Sequence, residues 1–88
     1  MLSLLGVARC YEQMSELKKA EEVYTTILDR YEKAFIIPSV HYSLAGIYEK
    51  LDDLESAEKE YARIVSDYRW SSWSDLAEKK ILFLKSTS

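Results

Sequence analysis

Apolar residues recur every three or four positions along most of the chain, which is the spacing of one face of an α-helix. Five such apolar stripes can be traced, and short polar breaks separate them. They begin at Leu4, Leu17, Val40, Leu54 and Trp73. The pattern predicts an all-α fold with five helices, at about residues 2–13, 16–32, 38–50, 53–68 and 73–85.

The breaks between the stripes carry signals for helix ends. Ser15 is expected to cap a helix that begins near Glu16. Asp52, followed three residues later by Glu55, has the form of a capping box. Pro38 suits the first turn of the third helix, because its missing N–H is not needed there. Since the breaks after the first and third helices are only a few residues long, two antiparallel helical hairpins are predicted.

The two predicted hairpins repeat each other at a spacing of 37 residues. Nine residue types recur at this spacing, in order Ala8, Tyr11, Glu12, Leu17, Ala20, Glu21, Tyr24, Ile27 and Tyr31, with identical counterparts at 45, 48, 49, 54, 57, 58, 61, 64 and 68. Val7 and Leu44 form a further equivalent pair, in which one apolar residue replaces another. A fixed period of this length is typical of solenoid proteins, whose units bury their apolar faces by stacking.

The recurring alanines indicate where helices pack most closely. A side chain as short as that of Ala8 or Ala20 lets two helix axes approach, and the equivalent Ala45 and Ala57 predict the same contact in the second hairpin. The recurring tyrosines are expected to fill the space beside each close contact. The alanines are therefore interpreted as structural residues.

The order of these residues resembles the tetratricopeptide repeat, a helical pair with large, small and aromatic residues at set positions. The residues that carry the resemblance are Leu44, Ala45, Tyr48, Leu54, Ala57, Tyr61 and Ile64 in the second unit, and Val7, Ala8, Tyr11, Leu17, Ala20, Tyr24 and Ile27 in the first. Two features depart from the family: the unit is longer than the family's usual length of about 34 residues, and the closing proline is absent.

The resemblance implies a right-handed α-solenoid that forms a single domain over residues 1–88. Its parts would be one repeat at about 2–37, a second at about 38–72, and a C-terminal capping helix at about 73–85. Because Leu2, Leu4 and Leu5 leave the first helix without a polar outer face, we expect the chain to be a fragment of a longer array.

Residues 67–77 also resemble the linker of bacterial cell-envelope repeat proteins. Those include accessory proteins of the Tol-Pal system and lipoprotein partners of the outer-membrane assembly machinery. The resemblance implies the bacterial periplasm or cell envelope as the compartment. The rest of the sequence does not identify a compartment, so the cytoplasm is the alternative.

Composition argues against several classes of function. A net charge of −3 gives no long-range attraction to nucleic acid, and no apolar run is long enough to cross a membrane. Cys10 is the only cysteine and His41 the only histidine, so neither a metal site nor a catalytic triad is expected. We predict no enzyme activity and no cofactor. Cys10 is expected in the core, and His41 is expected to be half-buried.

In the tetratricopeptide family the first helix of each pair lines a concave surface where partner proteins bind. The resemblance therefore implies a protein-binding scaffold. Its candidate partner-binding residues are Leu2, Leu5, Arg9, Glu12, Gln13, Ser39, Tyr42, Gly46, Glu49, Lys50, Lys79 and Phe83. An alternative is a structural module without a peptide ligand, which associates with a second copy through its N-terminal edge or stacks within a longer array.

Two apolar features lie near the predicted helix breaks. Trp70 and Trp73 flank the last break, and we expect them to pack the fifth helix against the preceding repeat rather than to anchor a partner. Residues 34–37 form an apolar connector that is expected to lie tucked between the hairpins.

Overall fold

A computed structural model describes residues 4–30 and 36–87, which form five α-helices in sequence. The helices are α1 Leu4–Gln13, α2 Leu17–Arg30, α3 Ile37–Lys50, α4 Leu54–Asp67 and α5 Ser72–Thr87. Over these residues the chain contains no strand. The all-α prediction is confirmed, and the helix ends lie within a few residues of the expected positions.

The period of 37 residues governs the helix boundaries as well as the sequence. Helix α4 starts 37 residues after α2 starts, and it ends 37 residues after α2 ends. The last residues of α1, α3 and α5 are also 37 residues apart. Helix α5 therefore takes the place that the first helix of a third hairpin would take. It packs mainly against α4 and more lightly against α3.

The turns inside the two hairpins have the same backbone conformation. Ser15 and Asp52 have φ angles of 62° and 63°, in the left-handed region. In the second turn the N–H of Asp52 donates to the carbonyl of Glu49, and the N–H of Asp53 donates to the carbonyl of Tyr48. This is a Schellman motif, which satisfies the last carbonyls of the preceding helix.

Two predicted helix caps are therefore wrong in detail. Ser15 and Asp52 end the helices before them and do not cap the helices after them, because a residue in the left-handed conformation completes the Schellman motif. The N-cap of α4 is Asp53, whose Oδ1 accepts a hydrogen bond of 3.3 Å from the N–H of Ser56. Pro38 lies in the first turn of α3, as predicted.

Alanines mark the contacts between paired helices. Ala8, Ala20, Ala45 and Ala57 are all completely buried. The rings of Tyr24 and Tyr61 fill the space beside them and are buried as well. One apolar cluster lies among α1, α2 and α3, and a second lies among α3, α4 and α5. Tyr48 and Tyr68 pack against both clusters and join them into a continuous core.

Helix α1 differs from α3 on one side. Cys10 is exposed, whereas the equivalent residue Ile47 is fully buried in the first cluster. The prediction of a core cysteine is wrong because α2 covers this side of α3, while no helix of the described residues covers the corresponding side of α1. Burial at this position depends on a neighbouring helix rather than on the residue type.

Two other sequence predictions are refined. His41 is buried rather than half-buried, and its Nδ1 lies 2.8 Å from Oε1 of Glu60 on α4. In the apolar connector Ile37 is buried, as predicted, but Ile36 is exposed and lies at the surface rather than tucked between the hairpins. Ala34 and Phe35 lie outside the described residues. None of the helices in the described ranges combines the length and the apolar character that crossing a bilayer requires.

Candidate partner-binding groove

Helices α1, α3 and α5 line one face of the stack, and two clefts open on it. The first cleft has a volume of about 450 Å³ and lies where α1 and the start of α3 meet the turn before α5. Its lining residues are Leu5, Arg9, Ile36, Ser39, Trp70, Ser71, Ser72 and Trp73. The first cleft thus brings together three of the predicted residues, Leu5, Arg9 and Ser39.

The second cleft lies between α3 and α5 and has a volume of about 330 Å³. Its lining residues are Tyr42, Leu76, Lys79, Lys80 and Phe83. Three of these, Tyr42, Lys79 and Phe83, belong to the predicted set. We call the surface formed by the two clefts the groove.

Aromatic rings form the wall between the two clefts. The ring centroid of Tyr42 lies 5.1 Å from that of Trp73 and 5.4 Å from that of Tyr61, with an edge-on approach to Tyr61. These contacts tie α5 to the α3–α4 hairpin, so Trp73 packs as predicted. Trp70 does not, because its side chain is 63% exposed, beside the ring of Tyr68 and at the edge of the first cleft.

Gly46, another predicted residue, lines neither cleft, but the helical repeat puts it on the same face of α3 as the cleft residues Ser39 and Tyr42. A Cβ atom added at this position would have no heavy atom of another part of the molecule within 4 Å. The equivalent residues, 37 positions away on either side, are Arg9 on α1 and Phe83 on α5. The repeat geometry therefore places a cation, an open glycine and a 58% exposed phenylalanine at the same level of three helices.

Two predicted residues, Glu12 and Glu49, are engaged inside the fold. The hydroxyl of Tyr24 donates to Oε2 of Glu12 at 3.0 Å, and the hydroxyl of Tyr61 donates to Oε2 of Glu49. Burial first, and these hydrogen bonds second, raise the pKa of both tyrosines above the ordinary value of 10.0. Each glutamate thus holds the two helices of its own hairpin together.

The other predicted residues lie outside the clefts. Gln13 and Lys50 are exposed at the ends of α1 and α3, and Leu2 is outside the described residues. Sequence reasoning missed Ile36, Trp73 and Leu76 as groove residues. Leu76 could have been found, because it stands 37 residues after the predicted residue Ser39.

A third cleft, of about 380 Å³, lies between α2 and α4. It is lined by Thr25, Leu28, Asp29, Ile37, His41, Arg63, Asp67 and Tyr68. In the described part of the chain, His, Cys, Asp and Glu side chains form no group of three or more that could hold a metal ion.

The comparisons with known proteins bear on the α3–α4 hairpin. Residues 38–66 match the family model described as Tetratricopeptide repeat. No curated protein and no solved structure matches the chain significantly. The matched residues span nearly all of one hairpin, and the other hairpin repeats its sequence and its helix boundaries. The α3–α4 hairpin is thus similar to a tetratricopeptide repeat, and the five-helix architecture of the described residues is consistent with a helical repeat fold of that kind.

Proposed function

We propose that the protein is a scaffold that binds a segment of a partner protein in the groove. Tetratricopeptide repeats generally mediate protein–protein interactions, and the family is typically not enzymatic. The observation that carries the proposal is the groove itself, whose lining includes the exposed apolar residues Trp70, Leu76 and Phe83. Apolar and aromatic side chains of this kind supply much of the binding energy at protein interfaces.

A large side chain at Gly46, on the face of α3 that carries Ser39 and Tyr42, tests this proposal. A Cβ atom at Gly46 meets open space, so folding should be retained, while the indole of Gly46→Trp should obstruct a segment that passes from one cleft to the other. A random peptide library is displayed with each peptide joined to its carrier through its C-terminus, and binders to the unsubstituted protein are selected. We expect the selected peptides to bind Gly46→Trp at least tenfold more weakly.

Lys59→Trp is the matched control, because Lys59 is exposed on α4 and lies outside both clefts. Peptides selected on the unsubstituted protein should bind this variant normally. If every selected peptide binds Gly46→Trp as tightly as it binds the unsubstituted protein, no bound segment passes along this face of α3 and the proposal is wrong.

The alternative, self-association through the N-terminal edge, has one observation in its favour. Cys10 on α1 and Met14 just after it are exposed, Met14 at 65%. The equivalent residues, Ile47 on α3 and Leu51 just after it, pack in the first cluster. A second copy of the chain could cover this side of α1. Sedimentation at several concentrations should then show a dimer that Met14→Lys weakens, whereas a monomer at all concentrations would exclude this alternative.

The narrower assignment to bacterial cell-envelope repeat proteins rests on residues 67–77 alone. The family match ends at residue 66, so it lends this assignment no support. It stays a prediction from the sequence.

A further inference from the structure

We propose that the groove selects an internal partner segment in which acidic residues lie on both sides of large apolar residues. This inference rests on the proposed function, and it adds the chemistry of the partner. It is argued from the charges that line the two clefts and from the wall that separates them.

The apolar part of the preference comes from the second cleft. Leu76 is 41% exposed and Phe83 is 58% exposed, and both lie beside the ring of Tyr42. Covering such side chains with an apolar residue of a partner removes their surface from water, which is favourable. Tyr42 is held in place by its contacts with Trp73 and Tyr61, so little side-chain entropy is lost on binding.

The charges of the groove have one sign. The charged residues that line the two clefts are Arg9, Lys79 and Lys80, and the described lining includes no carboxylate. The chain as a whole is acidic, with 15 acidic and 12 basic residues, so this local excess of cations runs against the overall composition. A partner with carboxylates is therefore favoured, and a basic one is repelled.

The carboxylates near the groove do not neutralise all the cations that line it. Glu49 lies 3.9 Å from Nζ of Lys80 and accepts the hydroxyl of Tyr61, so it offsets Lys80 only. Glu12 accepts the hydroxyl of Tyr24 on the neighbouring helix. Both glutamates keep their negative charge while they accept these hydrogen bonds, but neither lines a cleft. The charges in the lining are therefore Arg9 in the first cleft and Lys79 with Lys80 in the second.

The position of the two cations argues for an internal segment. Arg9 and Lys79 lie in different clefts, on α1 and α5, with the rings of Tyr42 and Trp73 between the clefts. A single terminal carboxylate cannot contact both cations at once. Two acidic side chains of one segment can, while the apolar residues between them rest on the aromatic wall.

The test uses the same displayed peptide library, in which no peptide has a free C-terminus. Selection on the unsubstituted protein should enrich peptides with Asp or Glu on both sides of Leu, Phe or Trp. Their affinity should fall as salt is added, because surface charge pairs are screened. The charge-reversed variant Arg9→Glu/Lys79→Glu should bind these peptides about tenfold or more weakly and should instead select basic peptides.

Lys18→Glu/Lys59→Glu is the matched control, since it makes the same change in net charge at exposed residues outside both clefts. It should still select acidic peptides. Arg9→Gln/Lys79→Gln provides a second groove variant if charge reversal prevents folding, and it should weaken the acidic preference without reversing it.

The outcomes separate the inference from the proposed function. Peptides that depend on an open Gly46 but are neutral or basic would overturn the acidic preference and leave the scaffold function standing. A library that yields no peptide sensitive to Gly46→Trp would overturn both. Acidic peptides whose binding survives charge reversal of Arg9 and Lys79 would also overturn the inference.

Discussion

At the scale of single residues, a few backbone positions have unusual requirements. Ser15 and Asp52 close α1 and α3 in the left-handed conformation, which side chains other than glycine adopt at a cost. At Gly46 the requirement is absent: this glycine lies inside α3, and an added Cβ atom would meet open space. Both kinds of position allow predictions about stability that need no knowledge of a partner.

Asp52→Gly should stabilise the protein. Glycine adopts a positive φ without steric cost, so the free energy of unfolding should rise by about 1 kcal/mol. Urea unfolding measures the change. Ser66→Gly, at an exposed position inside α4, is the control and should lower the same free energy by about 0.5 kcal/mol. A loss of stability in Asp52→Gly would show that Asp52 is not left-handed in solution.

Gly46→Ala should also stabilise the protein. Alanine has the higher helix propensity and its Cβ would meet open space, so we expect a gain of about 0.5–1 kcal/mol in thermal or urea unfolding. The reverse change at an exposed position of α4, Ala62→Gly, should cost a similar amount. If Gly46→Ala is destabilising, the surroundings of Gly46 are more crowded than the structure indicates.

At the scale of elements, the helices depend on their caps and on close contacts within each hairpin. The two hairpins share the Schellman closure and the buried alanines, but they differ at the N-cap. Asp53 caps α4, whereas the equivalent residue before α2 is Glu16, which is not a preferred capping type. The second hairpin therefore has a preferred capping residue at this turn, and the first hairpin does not.

Asp53→Ala should destabilise the protein by about 0.5–1 kcal/mol, because the N–H of Ser56 loses the side-chain acceptor that it has in the folded state. Glu16→Ala is the matched substitution at the equivalent turn, and its effect should be smaller. The denaturant midpoints of the two variants measure this difference. An equal loss of stability in both variants would contradict the capping role of Asp53.

Ala57→Leu should overpack the contact between α3 and α4. Ala57 is completely buried, so a larger side chain must displace its neighbours, at a cost of about 1–3 kcal/mol. Ala62→Leu, at an exposed position of the same helix, should change stability little. A crystal or NMR structure of a stable Ala57→Leu variant with unchanged helix spacing would refute this account of the alanines.

At the scale of the whole molecule, the two hairpins form one body because residues of α3 contact both clusters. Tyr48 packs against both, and Glu21 of the first hairpin lies near its hydroxyl. Burial first, and the neighbouring Glu21 carboxylate second, raise the pKa of Tyr48 from 10.0 to about 12. The contact between the hairpins therefore depends on a protonated tyrosine.

Stability should fall in alkaline solution for this reason. The folded state holds the Tyr48 proton more tightly than the unfolded chain does, so this contribution is complete below pH 10 and is lost as the pH rises through about 12. The pKa values of Tyr24 and Tyr61 are also raised in the folded state, so these residues lower the stability in alkaline solution in the same way. The stability difference between the unsubstituted protein and Tyr48→Phe should shrink between pH 8 and pH 11, as followed by urea unfolding. A constant difference would contradict this coupling.

Much of the candidate groove could be predicted from equivalent positions. Leu5, Arg9, Ser39, Tyr42, Lys79 and Phe83 all line a cleft, because first helices of successive hairpins present the same positions to one face. Glu12 and Glu49 occupy equivalent positions too, yet their carboxylates bond to tyrosines of the neighbouring helix. Periodicity locates a residue on a helix but does not identify its hydrogen-bond partner.

The helices, their period and the buried alanines follow from the amino-acid sequence. They depend on a pattern of residues within one hairpin, and this pattern recurs 37 residues later. The exposure of Cys10, the separate environments of Trp70 and Trp73, and the single sign of charge in the clefts do not follow from it. Those properties arise from which helices lie side by side, because burial and local charge are set by neighbours that are distant along the chain.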